Sequence, residues 1–138
     1  MTKDVLEEYF TISSRITAID EEIRTLYLPQ INAGGQDVDA GRVSSRMPHS
    51  KTEEAAIRIL SLKERLQDER RRLLDLAETI ETWLESVEDP EIEAIVRWHY
   101  LLRRNWKETN IKVYGYPSYW YARQRLERFF AKSENCSN

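Results

Sequence analysis

The sequence predicts an all-α fold: a long antiparallel helical hairpin or coiled coil, followed by a small three-helix module with a helix-turn-helix. Two stretches repeat apolar residues at alternating steps of three and four, which is the spacing of a helical seam. Only four Gly and four Pro occur in 138 residues, and 33% of the residues are charged, so long helices meet few breakers. The length fits one domain, or one small domain carried on an extended helical part.

The first helix is predicted from Val5 to Leu26, with Thr2 as its N-cap. Its apolar positions form an unbroken heptad seam of Val5, Tyr9, Ile12, Ile16, Ile19, Ile23 and Leu26. Because Pro disfavours a helical residue before it, this helix should end at Leu28-Pro29. Residues 29–50 then hold three of the four glycines and no phosphate-loop pattern, so we interpret them as a flexible connection.

The second helix is predicted to be the longest, and the capping-box pattern Ser50 to Glu53 would start it. Its seam consists of Ile59, Leu62, Leu66, Glu69, Leu73, Leu76, Ile80, Trp83 and Val87. Glu69 interrupts this seam, as polar residues do when they fix register or oligomeric state. We interpret the neighbouring run Arg70 to Arg72 as a solvated face that Asp68, Glu69 and Asp75 neutralise on the same helix.

A second apolar row on this helix predicts burial on a second side. Its members are Ile57, Leu60, Leu74, Ala77 and Leu84. At 1.5 Å per residue, the helix from Thr52 to Val87 extends about 54 Å, which is longer than the C-terminal module is wide. We therefore expect residues 1–88 to form a homodimer through the long helices.

The third helix is predicted from Glu91 to Leu102, after Asp89 as N-cap and Pro90 at the first helical position. One broad face carries Ile92, Ile95, Val96, His99 and Tyr100. Because four of these five residues are apolar or aromatic, we interpret His99 as a packed core histidine rather than as a catalytic base.

Residues 105–120 have the outline of a helix-turn-helix. Asn105 can cap a short helix, with Glu108 reaching back to it as in a capping box. Gly115 supplies the positive φ of the turn, and Pro117 or Ser118 opens the last helix.

The last helix is predicted from about Tyr119 to Lys132, followed by a frayed tail over residues 133–138. One side should pack on Ile111, Val113 and the third helix. That side consists of Tyr119, Ala122, Leu126, Phe129 and Phe130. Residues 89–132 would thus form one helix-turn-helix module.

The net charge of −3 conceals an asymmetry. Residues 97–138 carry nine Lys or Arg against three Glu, a net charge of +6, which leaves −9 on residues 1–96. A basic C-terminal module on an acidic body indicates binding of a polyanion by that module, although solvated helix faces would give the same count.

In a helix-turn-helix the start of the second helix reads base edges in the major groove, and flanking cations contact phosphates. The first two turns of the last helix hold the candidate reading residues Ser118, Tyr119, Trp120, Arg123 and Gln124. The candidate phosphate contacts are Arg103, Arg104, Lys107 and Arg128. Arg123 and Gln124 suit guanine and adenine edges, so the predicted partner is double-stranded DNA.

Three segments carry a family resemblance: Glu93 to Tyr100, Asn105 to Tyr116, and Ser118 to Phe129. Together they resemble the helix-turn-helix of sigma-factor region 4. More particularly, the chain is similar to the small phage late-gene regulators of the RinA/ArpU type. The likeness extends upstream to Gly34-Gly35 and to Ser50–Glu53 before the long helix, and it covers most of residues 28–132. The resemblance implies transcriptional activation in a phage or prophage, through promoter DNA and RNA polymerase.

Two other interpretations stay open. A small terminase subunit for phage DNA packaging also joins a helix-turn-helix to helical oligomerisation. Alternatively, the aromatic residues at the entry of the last helix form a protein interface, and the chain is a helical adaptor without DNA binding. Those residues are Tyr116, Tyr119, Trp120 and Tyr121.

No pattern for catalysis, a metal or a cofactor stands out. Cys136 is the single cysteine, and His49 and His99 belong to no ligand spacing. No apolar run approaches the ~20 residues that span a bilayer. The N-terminus also lacks the apolar core of a signal peptide, so we expect a cytoplasmic protein that is not an enzyme.

Overall fold

A computed structural model of the chain describes residues 1–35 and 48–136, with side chains described for residues 1–28 and 51–136. The helices are α1 (Lys3–Gly35), α2 (Pro48–Ser86), α3 (Pro90–Val96), α4 (Trp106–Tyr114) and α5 (Tyr121–Cys136). Helix α3 continues directly into a π-helical turn, Arg97–Leu101. The predicted all-α fold is confirmed: α1 and α2 form a long antiparallel pair, and three shorter packed helices follow. In the part of the chain described here, no helix is both long enough and apolar enough to cross a membrane.

The chain divides into two compact units, which we call the C-terminal unit (residues 1–12 and 73–138) and the hairpin unit (residues 13–72). The division into an oligomerisation part, 1–88, and a DNA-binding module, 89–132, concerns function and stays a prediction.

The core of the C-terminal unit is built around α3. Ile92, Ile95 and Val96 are fully buried on one face of α3, and Tyr100 in the π turn is fully buried as well. Residues of α1, α2 and α5 close over them: Leu6, Tyr9, Ile80, Leu84, Ala122, Leu126 and Phe130. The predicted apolar face of the third helix is therefore confirmed.

The hairpin unit is held by the two predicted seams. The buried apolar residues of its core are Ile19, Ile23, Ile59, Leu62 and Leu66, with Ile16 and Leu26 packed at the edge. Arg15 Nη1 lies 2.8 Å from Glu69 Oε1, so the polar position in the seam of α2 pairs with a cation of α1. Arg70 lies 3.6 Å from Asp20, also on α1. The expected neutralisation within α2 is thus wrong for Arg70, because α1 offers a carboxylate.

The ends of the long helices differ from the prediction. Helix α1 does not end at Leu28-Pro29 but continues to Gly35. Pro weakens a helix interior by about 3 kcal/mol without forbidding it. Helix α2 begins at Pro48, so Ser50 lies inside it and does not cap it. Of the predicted connection 29–50, residues 36–47 lie outside the described residues.

The last helix also differs from the prediction, since α5 begins at Tyr121 and ends at Cys136. Residues 133–136, predicted as a tail, are therefore helical, and residues 137–138 lie outside the described part. The third helix ends within one residue of the predicted boundary, because the π turn closes at Leu101.

Candidate nucleic-acid interface

The junction between α3 and α4 is fixed by a buried histidine. His99 Nδ1–H donates to the Arg104 carbonyl over 2.8 Å. The ring stacks on Phe10 at 5.2 Å and on Trp106 at 3.6 Å between centroids. Burial lowers the pKa of His99 below its ordinary value, and the bond to Arg104 only partly offsets this. The prediction of a packed histidine is confirmed.

Arg103, within this junction, has an unusual backbone conformation. Its φ is 57°, whereas the positive φ of Gly115 is the ordinary behaviour of glycine. The left-handed conformation costs a residue with a Cβ roughly 1–2 kcal/mol. The Arg103 guanidinium lies 6.0 Å from the centre of the Phe10 ring. One predicted phosphate contact is therefore held at a strained position next to the His99 stack.

Asn105 and Gly115 cap the two ends of α4 as predicted. The Asn105 side chain accepts from the Glu108 amide at 2.8 Å. At the other end Gly115 has a φ of 87°, and its amide donates to the Ile111 carbonyl at 2.9 Å. A Cβ at Gly115 would meet nothing within 4 Å. Glycine is therefore favoured there by backbone conformation and not by lack of space.

A buried asparagine that the sequence prediction missed closes the turn. Asn110 is fully buried; its Nδ2 donates to the Tyr116 carbonyl at 2.8 Å, and its Oδ1 accepts from the Ala122 amide at 3.0 Å. One side chain thus ties α4 to the turn and to the first turn of α5. Trp106 and Val113 define the inward face of α4. Asn110 follows Trp106 by four residues and precedes Val113 by three, so helical spacing places it on the same face and could have predicted its burial.

The inward face of α4 was therefore predicted in part incorrectly. Val113 packs against the core, but Ile111 is 42% exposed. The fully buried residues of α4 are Thr109 and Asn110.

Ser118 accepts hydrogen bonds from backbone amides ahead of the last helix, as predicted, although α5 begins only at Tyr121. Its Oγ accepts from the amides of Trp120 and Tyr121, each at 3.2 Å. Tyr119 precedes the helix and is 57% exposed, so its predicted inward position is wrong. Trp120 is 64% exposed, which leaves both aromatic side chains open to a partner.

The outer surface of α5 carries two of the five predicted reading residues, because the other three precede the helix. Ala122, Leu126 and Phe130 point into the core, so Arg123 and Gln124 lie exposed at the start of the helix. Arg123 Nε lies 3.3 Å from Glu127 Oε1, and Lys3 Nζ approaches the same oxygen at 3.1 Å. The hydrogen bond from Lys3 lowers the pKa of Glu127, against a smaller effect of burial.

The predicted cations Arg123 and Arg128 line two different clefts. Arg123 lines one cleft together with Asn105 and Trp106 at the start of α4. Arg128 lines another cleft with Arg125 and Lys132. Arg104 and Lys107 are exposed on the junction and on the first turn of α4. The structure therefore brings Arg123 to the start of α4 and places Arg128 in a different cleft.

The charge of the basic segment is partly neutralised within its own unit. Residues 73–96 carry eight Asp or Glu and no Lys or Arg, and residues 1–12 have a net charge of −2. Together with the +6 of residues 97–138, this gives the C-terminal unit a net charge of −4. Arg97 pairs with Glu81 at 2.9 Å and with Glu93 at 3.1 Å. Arg125 pairs with Asp89 and Glu91. The +6 counted along the sequence is therefore not all available to a partner.

The pairing of Arg125 also supports the start of α3. Asp89 Oδ1 accepts from the amides of Glu91 and Ile92, which confirms the predicted N-cap, while Oδ2 accepts from Arg125. Burial alone would raise the pKa of Asp89, but the bonds from Arg125 and the two amides outweigh it and lower that pKa. Arg125 is therefore a structural cation.

Part of the aromatic entry is packed on itself. The Tyr121 ring lies 4.7 Å from that of Tyr114 and 6.2 Å from that of Tyr116. The Tyr114 hydroxyl donates to Glu91 Oε2 at 3.2 Å. Burial, followed by the charge of Glu91, raises the pKa of Tyr114 well above its ordinary value. Tyr114 and Tyr121 thus contact each other although Tyr121 is 47% exposed, and Tyr119 and Trp120 are the most exposed members.

Comparisons with known proteins give no family. No protein-family model matches the sequence. No curated protein matches it, and no solved structure matches its fold. Among the described residues, no group of three or more His, Cys, Asp or Glu is placed to hold a metal ion.

Proposed function

We propose that this chain is a cytoplasmic, DNA-binding transcriptional regulator of phage or prophage origin. It binds duplex DNA through α4, the Gly115 turn and α5, and dimerises through the long helices. RNA polymerase is a further partner, as the resemblance to the RinA/ArpU type and to sigma-factor region 4 implies. The observation that carries the proposal is the double hydrogen bond of Asn110, which holds two helices in a helix-turn-helix with the start of the second helix exposed.

The exposed start of α5 suits base reading. Arg123 and Gln124 lie in its first turn, on the surface away from the buried Ala122. Arginine donates two bonds to guanine, and glutamine matches adenine in the major groove. Arg123 Nε lies 3.3 Å from Glu127 Oε1, so Arg123 must give up this ion pair when it binds a base. The exchange is favourable only where the base accepts two hydrogen bonds from the guanidinium.

Phosphate contacts come from a small set of cations. Arg104, Lys107 and Arg128 are exposed and form no ion pair within the described part of the chain. Each neutralised phosphate adds roughly 0.9 to the slope of log affinity against log salt. Three such contacts predict a slope of about −3, a weak dependence for a DNA-binding protein.

The test is fluorescence anisotropy with duplex DNA across a series of salt concentrations. A duplex selected by the protein from a randomised pool serves as the specific ligand, and scrambled duplexes of equal length serve as the non-specific ones. Lys107→Ala should weaken binding to all duplexes alike and reduce the salt slope by about 1. Arg123→Ala should reduce the ratio of specific to non-specific affinity about tenfold or more, since one bidentate contact contributes roughly 1–3 kcal/mol of discrimination.

The matched control is Lys51→Ala, which removes an exposed lysine of α2 and should leave binding unchanged. Absence of duplex binding at low salt would overturn the proposal. Equal effects of Lys107→Ala and Arg123→Ala would mean that Arg123 contacts only the backbone of the DNA.

A helical adaptor is the second candidate, favoured by a specific observation. Tyr119 and Trp120 are 57% and 64% exposed in a unit whose net charge is −4. Aromatic side chains of this kind are enriched in protein interfaces. Failure to bind DNA together with loss of a protein partner in Trp120→Ala would support the adaptor.

A further inference from the structure

Helix α2 has a second apolar face that no part of the described chain covers. Ile57, Leu60 and Leu74 are 67%, 63% and 69% exposed. Ile59 and Leu62, on the other side of the same helix, are buried against α1. Large apolar side chains at this exposure mark a surface for a partner when they lie in one row.

The exposed apolar residues belong to a regular stripe. Positions 57, 60, 64, 67, 71 and 74 follow steps of three and four along α2, the spacing of a coiled-coil seam. The stripe reads Ile57, Leu60, Glu64, Gln67, Arg71 and Leu74, and we call it the α2 stripe. Its apolar residues lie at the two ends, and its middle carries one negative and one positive charge. All six side chains are exposed.

We propose that the α2 stripe is the dimer interface of this chain and that it binds the α2 stripe of a second copy in antiparallel orientation. In this register Ile57 lies level with Leu74 of the second copy, and Leu74 with the second copy's Ile57. The two-fold axis passes between residues 65 and 66. The inference rests on the homodimer of the proposed function and specifies its surface.

Charge determines the orientation. In the antiparallel register, Arg71 of the second copy lies level with Leu60, one helical turn from Glu64. The stem of Arg71 can therefore cover Leu60 while its guanidinium reaches Glu64. A parallel pairing would place Glu64 against Glu64 and Arg71 against Arg71 within the seam. Like charges at facing positions oppose association, so the stripe complements itself only when it is reversed.

The occupant is a second copy because the stripe is complementary to itself. A two-fold axis uses every contact twice, so two apolar layers of Ile57 with Leu74 flank two Glu64–Arg71 pairs. Within the described part of the chain neither Glu64 nor Arg71 has an ion-pair partner. Both charges are thus available to the second copy.

The first test is the mass in solution by light scattering and sedimentation, with the full chain. The wild type should have twice the chain mass of 16.4 kDa. Glu64→Arg and Arg71→Glu should each raise the dimer dissociation constant about tenfold or more, because each creates two like-charge contacts. The double variant Glu64→Arg/Arg71→Glu should restore it. Arg65→Glu, an exposed charge reversal off the stripe, is the matched control and should change nothing.

The second test fixes the orientation by disulfide cross-linking in a Cys136→Ser background. Equal amounts of Ile57→Cys and Leu74→Cys chains, mixed and oxidised, should form the mixed disulfide, because a disulfide needs Cβ atoms about 4 Å apart. Leu60→Cys alone should not cross-link. Efficient cross-linking of Leu60→Cys would show a parallel dimer and overturn the proposed orientation.

Each remaining outcome has a meaning. A dimer that is insensitive to both charge reversals would overturn the α2 stripe as the interface. A monomer at all concentrations would overturn the interface and the homodimer together, and a ring of eight or more subunits would favour the packaging alternative. DNA binding of the wild-type chain, measured by anisotropy at low salt, tests the DNA-binding proposal independently of all these.

Discussion

The C-terminal unit and the hairpin unit are both helical, but they are held together in different ways. In the C-terminal unit, eleven buried apolar residues from α1, α2, α3, α5 and the π turn enclose one core. In the hairpin unit, five buried apolar residues form one seam between two helices. A three-dimensional core fixes a shape by itself, whereas a single seam leaves the other helix faces without a partner.

The two units also differ in whether their interior polar side chains have all their hydrogen-bond partners. Asn110 in the C-terminal unit uses its donor and its acceptor. Glu69 in the hairpin unit uses one carboxylate oxygen for Arg15, and its other oxygen is buried without a partner. A satisfied buried polar group specifies a structure, whereas a half-satisfied one costs stability. The C-terminal unit is therefore expected to tolerate loss of its polar group poorly, and the hairpin unit to benefit from such a loss.

The largest expected effect is that of Asn110→Ala. The substitution leaves the Tyr116 carbonyl and the Ala122 amide without their partners, at a cost of about 3 kcal/mol in the free energy of unfolding. All four tryptophans lie in the C-terminal unit, so tryptophan fluorescence during urea unfolding measures this unit selectively. Asn105→Ala, which removes an exposed cap from the same helix, is the control and should cost about 1 kcal/mol. A loss at Asn110 no larger than at Asn105 would show that the turn does not depend on this side chain.

The roles of Asn105 and Asn110 also mark how far the sequence could predict this module. A cap is local: Asn105 bonds an amide three residues away, so spacing alone predicts it. Asn110 bonds backbone groups six and twelve residues away, and these groups meet only once the turn has closed. The seams of the hairpin were predictable because apolar spacing decides which helix face is buried. The end of α1 was not, because Pro29 only weakens a helix that the structure continues to Gly35.

The sequence predicted which residues of the candidate site are exposed, but not how many of its cations are paired with carboxylates. Arg123 and Gln124 are exposed on α5, as its period requires. Arg97 and Arg125, however, also belong to the basic count, and both are paired with carboxylates of α2, of α3 or of its cap. A count along the chain cannot show which carboxylates fold back onto it. The acidic stretch 73–96 therefore reduces the number of cations that are available to an anionic partner.

In the hairpin unit, substituting one partner of the Arg15–Glu69 ion pair should raise the free energy of unfolding, and substituting the other should lower it. Glu69→Leu removes the buried oxygen that has no partner and leaves Arg15, whose side chain is 40% exposed, to water. It should stabilise the unit by about 1 kcal/mol, because an unsatisfied buried acceptor is removed and the remaining Arg15 charge stays hydrated. Arg15→Leu instead leaves a carboxylate that is 13% exposed without its cation, at a cost of about 2 kcal/mol.

Amide hydrogen exchange of the hairpin unit measures both variants, because this unit has no tryptophan. Arg15→Leu/Glu69→Leu should resemble Glu69→Leu. If both single variants lost stability equally, the ion pair would stabilise the hairpin, and the contrast with Asn110 would disappear.

The smallest expected effect is a pH dependence confined to the C-terminal unit. The pKa of His99 in the folded chain lies below its ordinary value of 6.5, chiefly because the ring is buried, so the unfolded chain takes up the proton first. Stability should be complete above pH 6.5 and fall as the pH drops from there towards the lower folded pKa. The bond from Nδ1 to the Arg104 carbonyl offsets part of the burial and keeps the effect below that of the substitutions above.

Thermal unfolding followed by tryptophan fluorescence between pH 7.5 and pH 5 measures this dependence. The pKa values of Asp89 and Glu127 lie below their ordinary values of 3.8 and 4.5. Both carboxylates therefore stay charged throughout this pH interval. His99→Gln cannot take up a proton and should flatten the profile while lowering stability at every pH, since the stack on Trp106 is lost. A profile that keeps its slope in this variant would place the titrating group elsewhere. His99 would then hold α3 to α4 by its ring stacking and its bond to Arg104 without contributing to the pH dependence.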